Sequence, residues 1–577
     1  MNKLFCYTVL IFLLISLPVK AAKNEFISLC YHDIVEGLTD KLDVDQMAVG
    51  TDNLIAQFSW LKKHNYNVIS LQDIVDAKSG KKPLPEKAVL ITFDDGYLSV
   101  YKYLYPLLKM YDYTAVVAVV GKWLSYKPGE TVTYGDHDEK PRDFFLSWEQ
   151  LREMQGSGHI EIASHSFDLH HGELGNPQGN VQPATTTRIY SKKTGQYETD
   201  QEYFNRIKND LKANSDLIEK HTGVRPRSMV WPYGAHSKQT NKISEDLDMP
   251  ITLTLKAGRN TLVDFSEIRR ILIMSNPTLS DFVYEIEEEN PQETIVRAVR
   301  ISLDDIYDKD PKKFNQNFDR LLDRIKDMSI NTVYISAFSD LDNDGYAEAL
   351  YFPNKYLPVR GDILNRVSWQ IETRAGNSNH INVHMVMPIT SFKNQHGLLS
   401  EHDIIEIYGD VAKFSYTEGL LFVDENGYGS EGFVKKLVDQ VKYYRSRVEK
   451  TALLLSDQKV IDAVGQADFW PKLQRDYDGF VINVDRLNQS SEKHLESLLQ
   501  ALPKEKKLKN FVFELQTVDK KTGAKIPEDI LKSGIDLLQE RKVIQLSHFP
   551  DDVPGNHPPL ELIKSKISIR DFPFEER

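Results

Sequence analysis

Eight short apolar runs, rich in β-branched and aromatic residues, occupy the second half of the chain and restrict its fold more than any other feature. Polar or amphipathic segments long enough for helices separate most of these runs. A strand and a helix repeated eight times is the pattern of a (β/α)8 barrel. The predicted strands are 296–303, 331–337, 381–387, 419–423, 452–456, 479–484, 511–515 and 543–547. We therefore expect a C-terminal (β/α)8-like barrel.

The first half of the chain also alternates strands and helices, which indicates an α/β layer or barrel. Helical periodicity is clear at 51–64, where Leu54, Phe58 and Leu61 share one face. The predicted strands are 26–31, 88–93, 114–119, 160–163, 228–231 and 251–255, and the other predicted helices are 99–110, 147–156 and 200–221. The segment 172–200 is rich in Gly, Pro, Thr and Lys, so we expect a long loop there.

The length of 577 residues is more than one compact core usually organises, so two domains are expected. The acidic stretch E-I-E-E-E-N-P at 285–291 is typical of a linker. The predicted organisation is a signal peptide at 1–21, a first domain at 22–284, a linker at 285–296 and a barrel domain at 297–577.

The N-terminus is typical of a secretory signal peptide. A short basic start precedes the apolar run 8–17. The stretch V-K-A at 19–21 then places small residues at positions −3 and −1 of a cleavage site, which predicts cleavage near Ala21 or Ala22. An uncleaved anchor is the alternative interpretation. After cleavage Cys30 is the only cysteine, so an internal disulfide is excluded, and we expect a buried, apolar Cys30. Neither cysteine lies at the cleavage point, as a lipoprotein would require.

The formal net charge of −13 argues against nucleic acid as a partner, because phosphate binding needs an excess of Lys and Arg. The same charge suits a neutral or cationic partner.

Three polar motifs follow predicted strands of the first half, where α/β proteins place their chemistry. Asp94 and Asp95 end the run L-I-T-F, and His165 and His170 lie five residues apart after the strand at 160–163. One carboxylate and two imidazoles leave open positions on a metal ion, as catalysis requires. The constrained loop V-W-P-Y-G at 230–234 can direct a backbone N–H at a developing oxyanion. Each motif alone is often an ordinary turn, but together they favour a catalytic metal site.

These motifs resemble the polysaccharide deacetylase family (NodB-homology, carbohydrate esterase family 4). T-F-D-D-G, H-x4-H and W-P-Y-G carry the resemblance. More closely, the chain is similar to the periplasmic poly-β-1,6-N-acetyl-D-glucosamine N-deacetylases of biofilm exopolysaccharide systems. Further similar stretches are C-Y-H-D-I at 30–34, S-W-E-Q-L at 147–151, E-I-A-S-H-S at 161–166, D-I-Y-D-K-D-P at 305–311, 331–340, 349–360 and F-E-L-Q at 513–516. The resemblance weakens after about residue 390 and returns towards the C-terminus.

The resemblance implies a fold and a set of roles. The fold is a distorted, circularly permuted (β/α) barrel followed by the (β/α)8-like barrel. Asp95, His165 and His170 match the metal ligands, and Asp94 matches the general base that activates water. Tyr233 matches the residue whose backbone N–H holds the oxyanion, and His32 matches the general acid that protonates the leaving amine. The implied products are acetate and a glucosaminyl unit.

The ligand set suits a divalent transition metal, with zinc as first choice and cobalt, nickel or iron as alternatives. The resemblance implies poly-β-1,6-N-acetylglucosamine as the substrate, an outer-membrane export porin as a partner, and the periplasm as the location. Two alternatives stay open: a deacetylase of peptidoglycan or chitin-type β-1,4 chains, and a non-catalytic protein that binds polymer during export.

Carboxylates at strand ends of the predicted barrel suggest a second activity. Asp424 and Glu514 follow or lie in the fourth and seventh strands, where many retaining glycosidases carry their acid and nucleophile. The resemblance implies a glycoside hydrolase that cleaves partly deacetylated polymer. Its F-H-D-D stretch is F-V-D-E here, and its M-P-Y stretch is N-V-D at 483–485. A barrel that only binds polymer is therefore the alternative.

Other side chains are candidates for contact with the substrate, and they are Trp148, Trp231, Asp304, Asp340 and Glu425. Tyr233 and Trp369 can also stack on sugar rings, although such aromatics more often belong to a core. The stretch D-L-D-N-D-G at 340–345 resembles the start of a calcium loop, but Tyr351 stands where an EF-hand needs Glu. We interpret it as a turn.

Overall fold

The structure is a computed structural model, and it describes residues 24–38, 46–136, 138–287, 295–340, 342, 344–375, 380–423, 430, 432–485, 492–503 and 508–570. The predicted signal peptide lies outside the described residues, as does the predicted linker from 288 to 294. Among the described helices, none combines the length and the apolarity needed to cross a membrane.

The chain divides into two compact units, and neither unit is one continuous segment. The first unit contains residues up to Ala118, Phe145–Ala163 and the segment from Leu255 to the predicted linker. The second unit contains Val119–Phe144, Ser164–Thr254 and the whole C-terminal barrel.

Strands and helices alternate through the first 287 residues, as the sequence predicts. The strands are β1 (Glu25–Tyr31), β2 (Asp33–Val35), β3 (Ala48–Gly50), β4 (Asn67–Ile69), β5 (Ala88–Phe93), β6 (Ala115–Val119), β7 (Thr131–Tyr134), β8 (Asp138–Pro141), β9 (Ile160–Ser164), β10 (Gly172–Leu174), β11 (Val181–Pro183), β12 (Tyr190–Ser191), β13 (Gln196–Tyr197), β14 (Ser228–Val230), β15 (Ile251–Leu253), β16 (Asn260–Thr261) and β17 (Ile271–Leu272). The helices are α1 (Thr51–Lys63), α2 (Leu71–Lys78), α3 (Tyr105–Tyr111), α4 (Gly121–Ser125), α5 (Trp148–Gly156), α6 (Asp200–Thr222), α7 (Lys238–Glu245) and α8 (Leu279–Glu287).

A nine-stranded sheet organises this part of the chain, with the order β15-β14-β9-β6-β5-β1-β16 and with β17 and β4 paired to β1 and β5. Every residue of β5 and β6 is buried, which is typical of parallel strands covered on both faces. β1 and β5 are parallel from the pair Phe26–Ala88 to the pair Tyr31–Phe93. Because parallel strands end at the same edge of a sheet, their C-terminal residues gather there.

Helix α6 corresponds to the helix predicted at 200–221, and both of its ends are well defined. Thr199 and Glu202 form a capping box at its start, and Gly223 ends it with a left-handed φ of 80°. The helix predicted at 99–110 begins instead as a π-helical turn, Val100–Leu104, ahead of α3. Pro106 explains the irregularity, because it has no backbone N–H to donate to the preceding turn.

The C-terminal region forms a parallel eight-stranded sheet in sequential order, which confirms the predicted barrel. Leu546 donates its backbone N–H to the Val296 carbonyl at 3.1 Å, so the last strand returns to the first and the barrel is nearly closed. Its strands are β18 (Ala298–Ser302), β19 (Thr332–Ser336), β22 (Asn382–Pro388), β25 (Gly419–Val423), β26 (Lys450–Ser456), β27 (Gly479–Val484), β28 (Phe511–Gln516) and β29 (Leu546–Phe549), with the small paired strands β20 (Phe338–Ser339), β21 (Ala349–Leu350), β23 (Lys393–Asn394) and β24 (Gly397–Leu398). Its helices are α9 (Pro311–Met328), α10 (Leu364–Gln370), α11 (Glu401–Phe414), α12 (Phe433–Tyr444), α13 (Asp457–Asp462), α14 (Phe469–Asp476), α15 (Glu492–Ala501), α16 (Glu528–Glu540) and α17 (Leu560–Ile567).

Three local predictions differ from the structure. The predicted loop at 172–200 contains two short hairpins, β10–β11 and β12–β13, whose strands are too short to show a period. Helix α8 extends to Glu287, into the predicted linker, because Phe282 and Ile286 are buried one turn apart and anchor it. The last barrel strand begins at Leu546, since the Val543 N–H still bonds to the Leu538 carbonyl at the end of α16.

Candidate metal centre and active site

The turn after β5 places two buried carboxylates side by side. Asp94 is 2% exposed and Asp95 is 1% exposed. Asp95 has a φ of 70° and Gly96 a φ of 69°, so the chain turns sharply in the left-handed region directly after the strand. Aspartate tolerates the left-handed region better than most residues do. Even so, residues other than glycine seldom adopt this conformation, and those that do are concentrated at functional sites.

Asp94 forms a fully buried ion pair with Arg270. The guanidinium donates from Nη1 to Oδ1 at 2.7 Å and from Nη2 to Oδ2 at 2.9 Å. Burial lowers the pKa of Arg270, but the Asp94 carboxylate more than offsets this, and the net pKa is raised. The pair holds Asp94 in one orientation, because two parallel N–H donors of one guanidinium meet both carboxylate oxygens.

Cys30 and His32 lie on the same side of Asp94. The Cys30 thiol is buried and donates to Asp94 Oδ2 at 3.5 Å, and burial raises the pKa of the thiol. Cys30, His32 and Asp94 each offer a ligand atom within 4.8 Å of the others. Among the described residues His32 Nδ1 has no hydrogen-bond partner. Cys30 is buried, as predicted, and it also contacts the carboxylate proposed as the base.

The ring orientation of His165 is fixed by the backbone. Its Nδ1 lies 2.7 Å from the Val230 carbonyl, which can only accept, so Nδ1 carries the proton. His165 Nε2 is then left with its lone pair. A histidine that donates one ring N–H to a carbonyl and presents the other nitrogen is the usual arrangement of a metal ligand.

His170 lies within a cluster of aromatic rings. Its ring centroid is 5.0 Å from Trp123, 5.1 Å from His165 and 4.6 Å from Tyr233. Tyr134 is 5.7 Å away. These rings leave the His170 imidazole 8% exposed.

Asp210 of α6 supports the loop between the two histidines. Its carboxylate accepts the backbone N–H groups of Phe167 and Asp168, each at 2.8 Å. Removal from water raises the pKa of the Asp210 carboxyl to about 6, although the two N–H donors oppose the shift. Sequence reasoning missed Asp210 and Arg270, because each lies far along the chain from the residue that it supports.

The loop with Tyr233 is tightly built. Tyr233 has φ 56° and ψ 14° between Pro232 and Gly234, and its side chain is 38% exposed. Trp231 is fully buried, and its Nε1 donates to Asn241 Oδ1 at 2.9 Å. Trp231, predicted as a contact for substrate, therefore belongs to the core that supports the loop.

Asp95, His165 and His170 each offer one ligand atom, and these atoms lie within 4.8 Å of one another. One carboxylate and two imidazoles fit a divalent transition metal, and the His165–Val230 hydrogen bond gives one of them the required tautomer. All three residues follow strands of the nine-stranded sheet. The donor set alone does not select zinc over cobalt, nickel or iron.

The barrel carboxylate Glu514 is deeply buried in β28. Arg300 donates to its two oxygens at 2.9 and 2.8 Å, and Asn483 Nδ2 donates at 2.7 Å. Asp424 and Glu425, the other acids of the predicted glycosidase, lie outside the described residues.

Two further acids predicted to contact substrate are held by neighbouring protein groups. Asp304 accepts from Ser339 Oγ at 2.8 Å and from the Tyr351 hydroxyl at 2.6 Å. Asp340 accepts the backbone N–H groups of Asp344 and Gly345, as a turn requires. Trp148 is the first residue of α5 and Trp369 is the last but one of α10, and both are half-buried.

Two known families match this chain. Residues 81–252 match the family described as polysaccharide deacetylase, and residues 300–404 match the one described as hypothetical glycosyl hydrolase family 13. Asp94, Asp95, His165 and His170 all lie within the first match. These matches confirm the resemblance predicted from the motifs.

The chain is also similar to individual proteins. The chain is 36% identical over 372 residues to a poly-β-1,6-N-acetyl-D-glucosamine N-deacetylase of Escherichia coli (strain K12), which covers 64% of this chain. The chain spans 54% of the length of that relative. A solved de-N-acetylase from Aggregatibacter actinomycetemcomitans is 37% identical, with a TM-score of 0.43, and covers 45% of this chain and 98% of its own. The glycoside hydrolase domain of PgaB (BpsB) from Bordetella bronchiseptica is 28% identical, with a TM-score of 0.43, and covers 48% of this chain and 100% of its own.

Proposed function

We propose, from the match of residues 81–252 to the polysaccharide deacetylase family, that the protein is a metal-dependent N-deacetylase of β-1,6-linked N-acetylglucosamine polymer. The observation that carries the proposal is the buried group of Asp95, His165 and His170 beside the Asp94–Arg270 pair. The identity of the E. coli relative supports the linkage of the substrate.

In this proposal Asp95, His165 and His170 hold the metal, with zinc as first choice and cobalt, nickel or iron as alternatives. When bound, the metal polarises the acetamide carbonyl and makes water more acidic. Asp94 takes the proton from the attacking water, while Arg270 keeps the carboxylate ionised and oriented.

Two further residues complete the proposed reaction. The backbone N–H of Tyr233 stabilises the negative charge that develops on the carbonyl oxygen. His32 delivers a proton to the leaving amine. A ring nitrogen of His32 lies within 4.8 Å of an Asp94 carboxylate oxygen, so the two groups that transfer protons in the reaction are close together. The products are acetate and a glucosamine unit.

The test is acetate release from a β-1,6-linked N-acetylglucosamine pentamer by the full chain. We expect release with added divalent metal, and loss of release with a chelator or in Asp94→Asn. Asp112→Asn is a matched control, because Asp112 is an exposed residue in the left-handed C-cap of α3, where Asn also fits. Equal release with and without metal, or from Asp94→Asn, would contradict the proposal.

The same assay separates the alternatives. Acetate release from β-1,4 oligomers but not from β-1,6 oligomers would favour a deacetylase of chitin-type or peptidoglycan chains. Binding of the pentamer without acetate release, with metal demonstrably bound, would favour a non-catalytic export protein.

A second proposed activity is binding and cleavage of the partly deacetylated polymer by the barrel. The match of residues 300–404 to a hypothetical glycosyl hydrolase family supports it. We expect a partly deacetylated oligomer to become shorter with the full chain, and to stay intact with Asp424→Asn or Glu514→Gln. Binding without shortening would leave the barrel as a polymer-binding domain.

We propose that the protein acts in the periplasm and passes its polymer to an outer-membrane export porin. The apolar run 8–17 supports this location. Cell fractionation with N-terminal sequencing of the mature chain tests the location, and co-purification with an outer-membrane porin tests the partner.

A further inference from the structure

A second group of metal-ligand atoms lies within the first unit, and the proposed catalytic centre does not include it as a metal site. Cys30 lies in β1, His32 directly follows that strand, and Asp94 directly follows β5. These strands are parallel neighbours, so the three side chains belong to the same edge of the sheet. Each offers a ligand atom within 4.8 Å of the other two. A thiolate, an imidazole and a carboxylate are the ligands that zinc uses in proteins.

The distance between Cys30 and Asp94 fits a tetrahedral ion without movement of either side chain. Cys30 Sγ lies 3.5 Å from Asp94 Oδ2. A zinc–sulfur bond of about 2.3 Å and a zinc–oxygen bond of about 2.1 Å, at a tetrahedral angle, place the two ligand atoms about 3.5 Å apart. An ion between them therefore takes the place of the proton that the Cys30 thiol donates to Asp94.

The third ligand of the group is a buried imidazole. His32 is 8% exposed, and among the described residues its Nδ1 has no hydrogen-bond partner. A buried polar atom of this kind is costly unless something satisfies it, and a bound ion is one of the usual reasons for its presence. His32 is also the most exposed of the three ligands, since Asp94 is 2% exposed and Cys30 is fully buried.

Arg270 limits the strength of such a site. Its guanidinium holds both oxygens of Asp94, so it offsets one of the two negative charges that a Cys30 thiolate and Asp94 supply together. A catalytic metal on the neighbouring Asp95 adds repulsion between like charges. We therefore expect this group to bind metal more weakly than the proposed catalytic centre. Cations with a high affinity for thiolate should fill it in preference to hard cations.

We propose that Cys30, His32 and Asp94 form a second, inhibitory metal site for thiophilic divalent cations such as zinc and cadmium. Binding replaces the thiol proton by a sulfur–metal bond and releases that proton to solvent, so no oxidation or reduction takes place. The inhibition rests on the proposed function, whereas the binding site does not. A metal on Asp94 and His32 occupies the groups proposed to take a proton from water and to give one to the amine, and it therefore stops both steps.

Absorption spectroscopy with cobalt(II) tests the binding site itself. The protein is the full chain with Cys6→Ser, which leaves Cys30 as its single thiol. Metal-stripped protein is titrated with cobalt(II). The first equivalent is expected to enter the group of Asp95, His165 and His170, which contains no sulfur, and to give only the weak visible bands of cobalt. A second, weaker equivalent is expected to add a sulfur-to-cobalt charge-transfer band in the near ultraviolet.

Variants assign the charge-transfer band to the proposed ligands. Cys30→Ser and Cys30→Ala should each abolish the band, and the use of two substitutions guards against a folding defect in one of them. His32→Gln should weaken the second binding step about tenfold or more, because even groups behind a metal ligand contribute about 10–100-fold. His165→Gln is the control for the other site, since it should weaken the first binding step and leave the sulfur band in place.

Acetate release from the β-1,6-linked pentamer tests the inhibition. As zinc is added to metal-stripped protein, release should first increase and then fall when the second site fills. Excess magnesium, added to protein that already holds its catalytic metal, should not inhibit, because hard cations avoid thiolate ligands. For each protein we measure the zinc concentration that halves its own maximal activity. This concentration should be about tenfold higher or more in Cys30→Ala than in the wild type.

The two measurements keep this inference separate from the proposed reaction. If the protein releases no acetate with any metal, the proposed function fails, and the cobalt titration still decides whether the site exists. The absence of a sulfur band in excess cobalt would overturn the inference. A band that is unchanged in His32→Gln would also overturn it, since that band would report a thiol acting without the other ligands. Equal zinc inhibition of the wild type and Cys30→Ala would overturn the inhibitory role.

Discussion

Two buried arginine–carboxylate pairs, Arg270–Asp94 in the first half and Arg300–Glu514 in the barrel, have nearly the same geometry. In both, one guanidinium donates to two carboxylate oxygens at 2.7–2.9 Å. The surroundings differ. Asp94 lies among Cys30, His32 and a group that can hold a metal, whereas Glu514 takes a further bond from the amide of Asn483. The ion pair alone therefore does not indicate which reaction a carboxylate serves, and the groups around the carboxylate give that information.

The largest expected difference between the two pairs is in deacetylation. Asp94→Asn should lower acetate release on the order of 10²–10⁴-fold, because a general base contributes about that much. Glu514→Gln should leave acetate release unchanged. Acetate assays of both variants at saturating metal measure the difference. Equal loss in the two variants would mean that Glu514 also supports the deacetylase site.

The second expected difference separates stability from activity. Arg270→Met and Arg300→Met each leave a buried carboxylate without its partner, which costs about 3–5 kcal/mol of unfolding free energy. Only Arg270→Met should also abolish acetate release per folded molecule. Urea unfolding and activity at low temperature measure the two effects.

The double variant Arg300→Met with Glu514→Leu is the control for this experiment. It removes both charges together and should recover much of the lost stability. A double variant as unstable as Arg300→Met alone would show that the loss comes from packing and not from the unpaired carboxylate.

A smaller effect is expected at Asp210, which supports the loop between His165 and His170 and belongs to neither of the two arginine–carboxylate pairs. Asp210→Ala should weaken metal binding about 10–100-fold, as loss of groups behind metal ligands usually does. Competition with a chromogenic chelator measures the affinity. Asp216→Ala is the matched control, because Asp216 lies on the same helix at the surface. Unchanged affinity in Asp210→Ala would show that the loop keeps its shape without the carboxylate.

The smallest expected effect is a pH dependence located in the barrel. Burial lowers the pKa of His384 to about 4, below its ordinary value of 6.5. The unfolded chain then binds more protons between pH 6.5 and 4, so the stability due to neutral His384 is present above pH 6.5 and is lost as the pH falls. His384→Gln should flatten the pH dependence of barrel unfolding in this window. A slope equal to that of the wild type would assign the acid sensitivity to other groups.

The parts predicted from sequence are those in which neighbouring residues carry the signal. The strands Ala88–Phe93, Gly419–Val423 and Gly479–Val484 were predicted with their observed bounds, because unbroken apolar runs mark buried parallel strands. The motif residues of the candidate site were also local signals. Arg270 was missed because it meets Asp94 across 176 positions of the chain, and no periodicity connects them.

Similar reasoning explains the other differences. Trp231 was predicted as a substrate contact from its place in the W-P-Y-G loop, but its burial depends on Asn241, which only the folded chain brings near. Asp210 is one of many acids on a long polar helix, and its sequence context does not distinguish it from Asp216. The acidic composition predicted a linker at Glu285–Glu287, whereas in the structure the buried Ile286 extends helix α8 through this segment.

The position of Arg270 has a consequence for the order of assembly. Arg270 precedes β17, which joins β1 as a parallel neighbour, and the Ile273 N–H bonds to the Cys30 carbonyl at 2.9 Å. A chain that emerges N-terminus first contains both site carboxylates long before it contains their arginine. Asp94 therefore stays solvated or transiently paired until β17 has been synthesised and has joined β1. The proposed base Asp94 gains its arginine partner in one of the last folding steps of the first half. A nascent or truncated chain that lacks Arg270 would therefore be inactive.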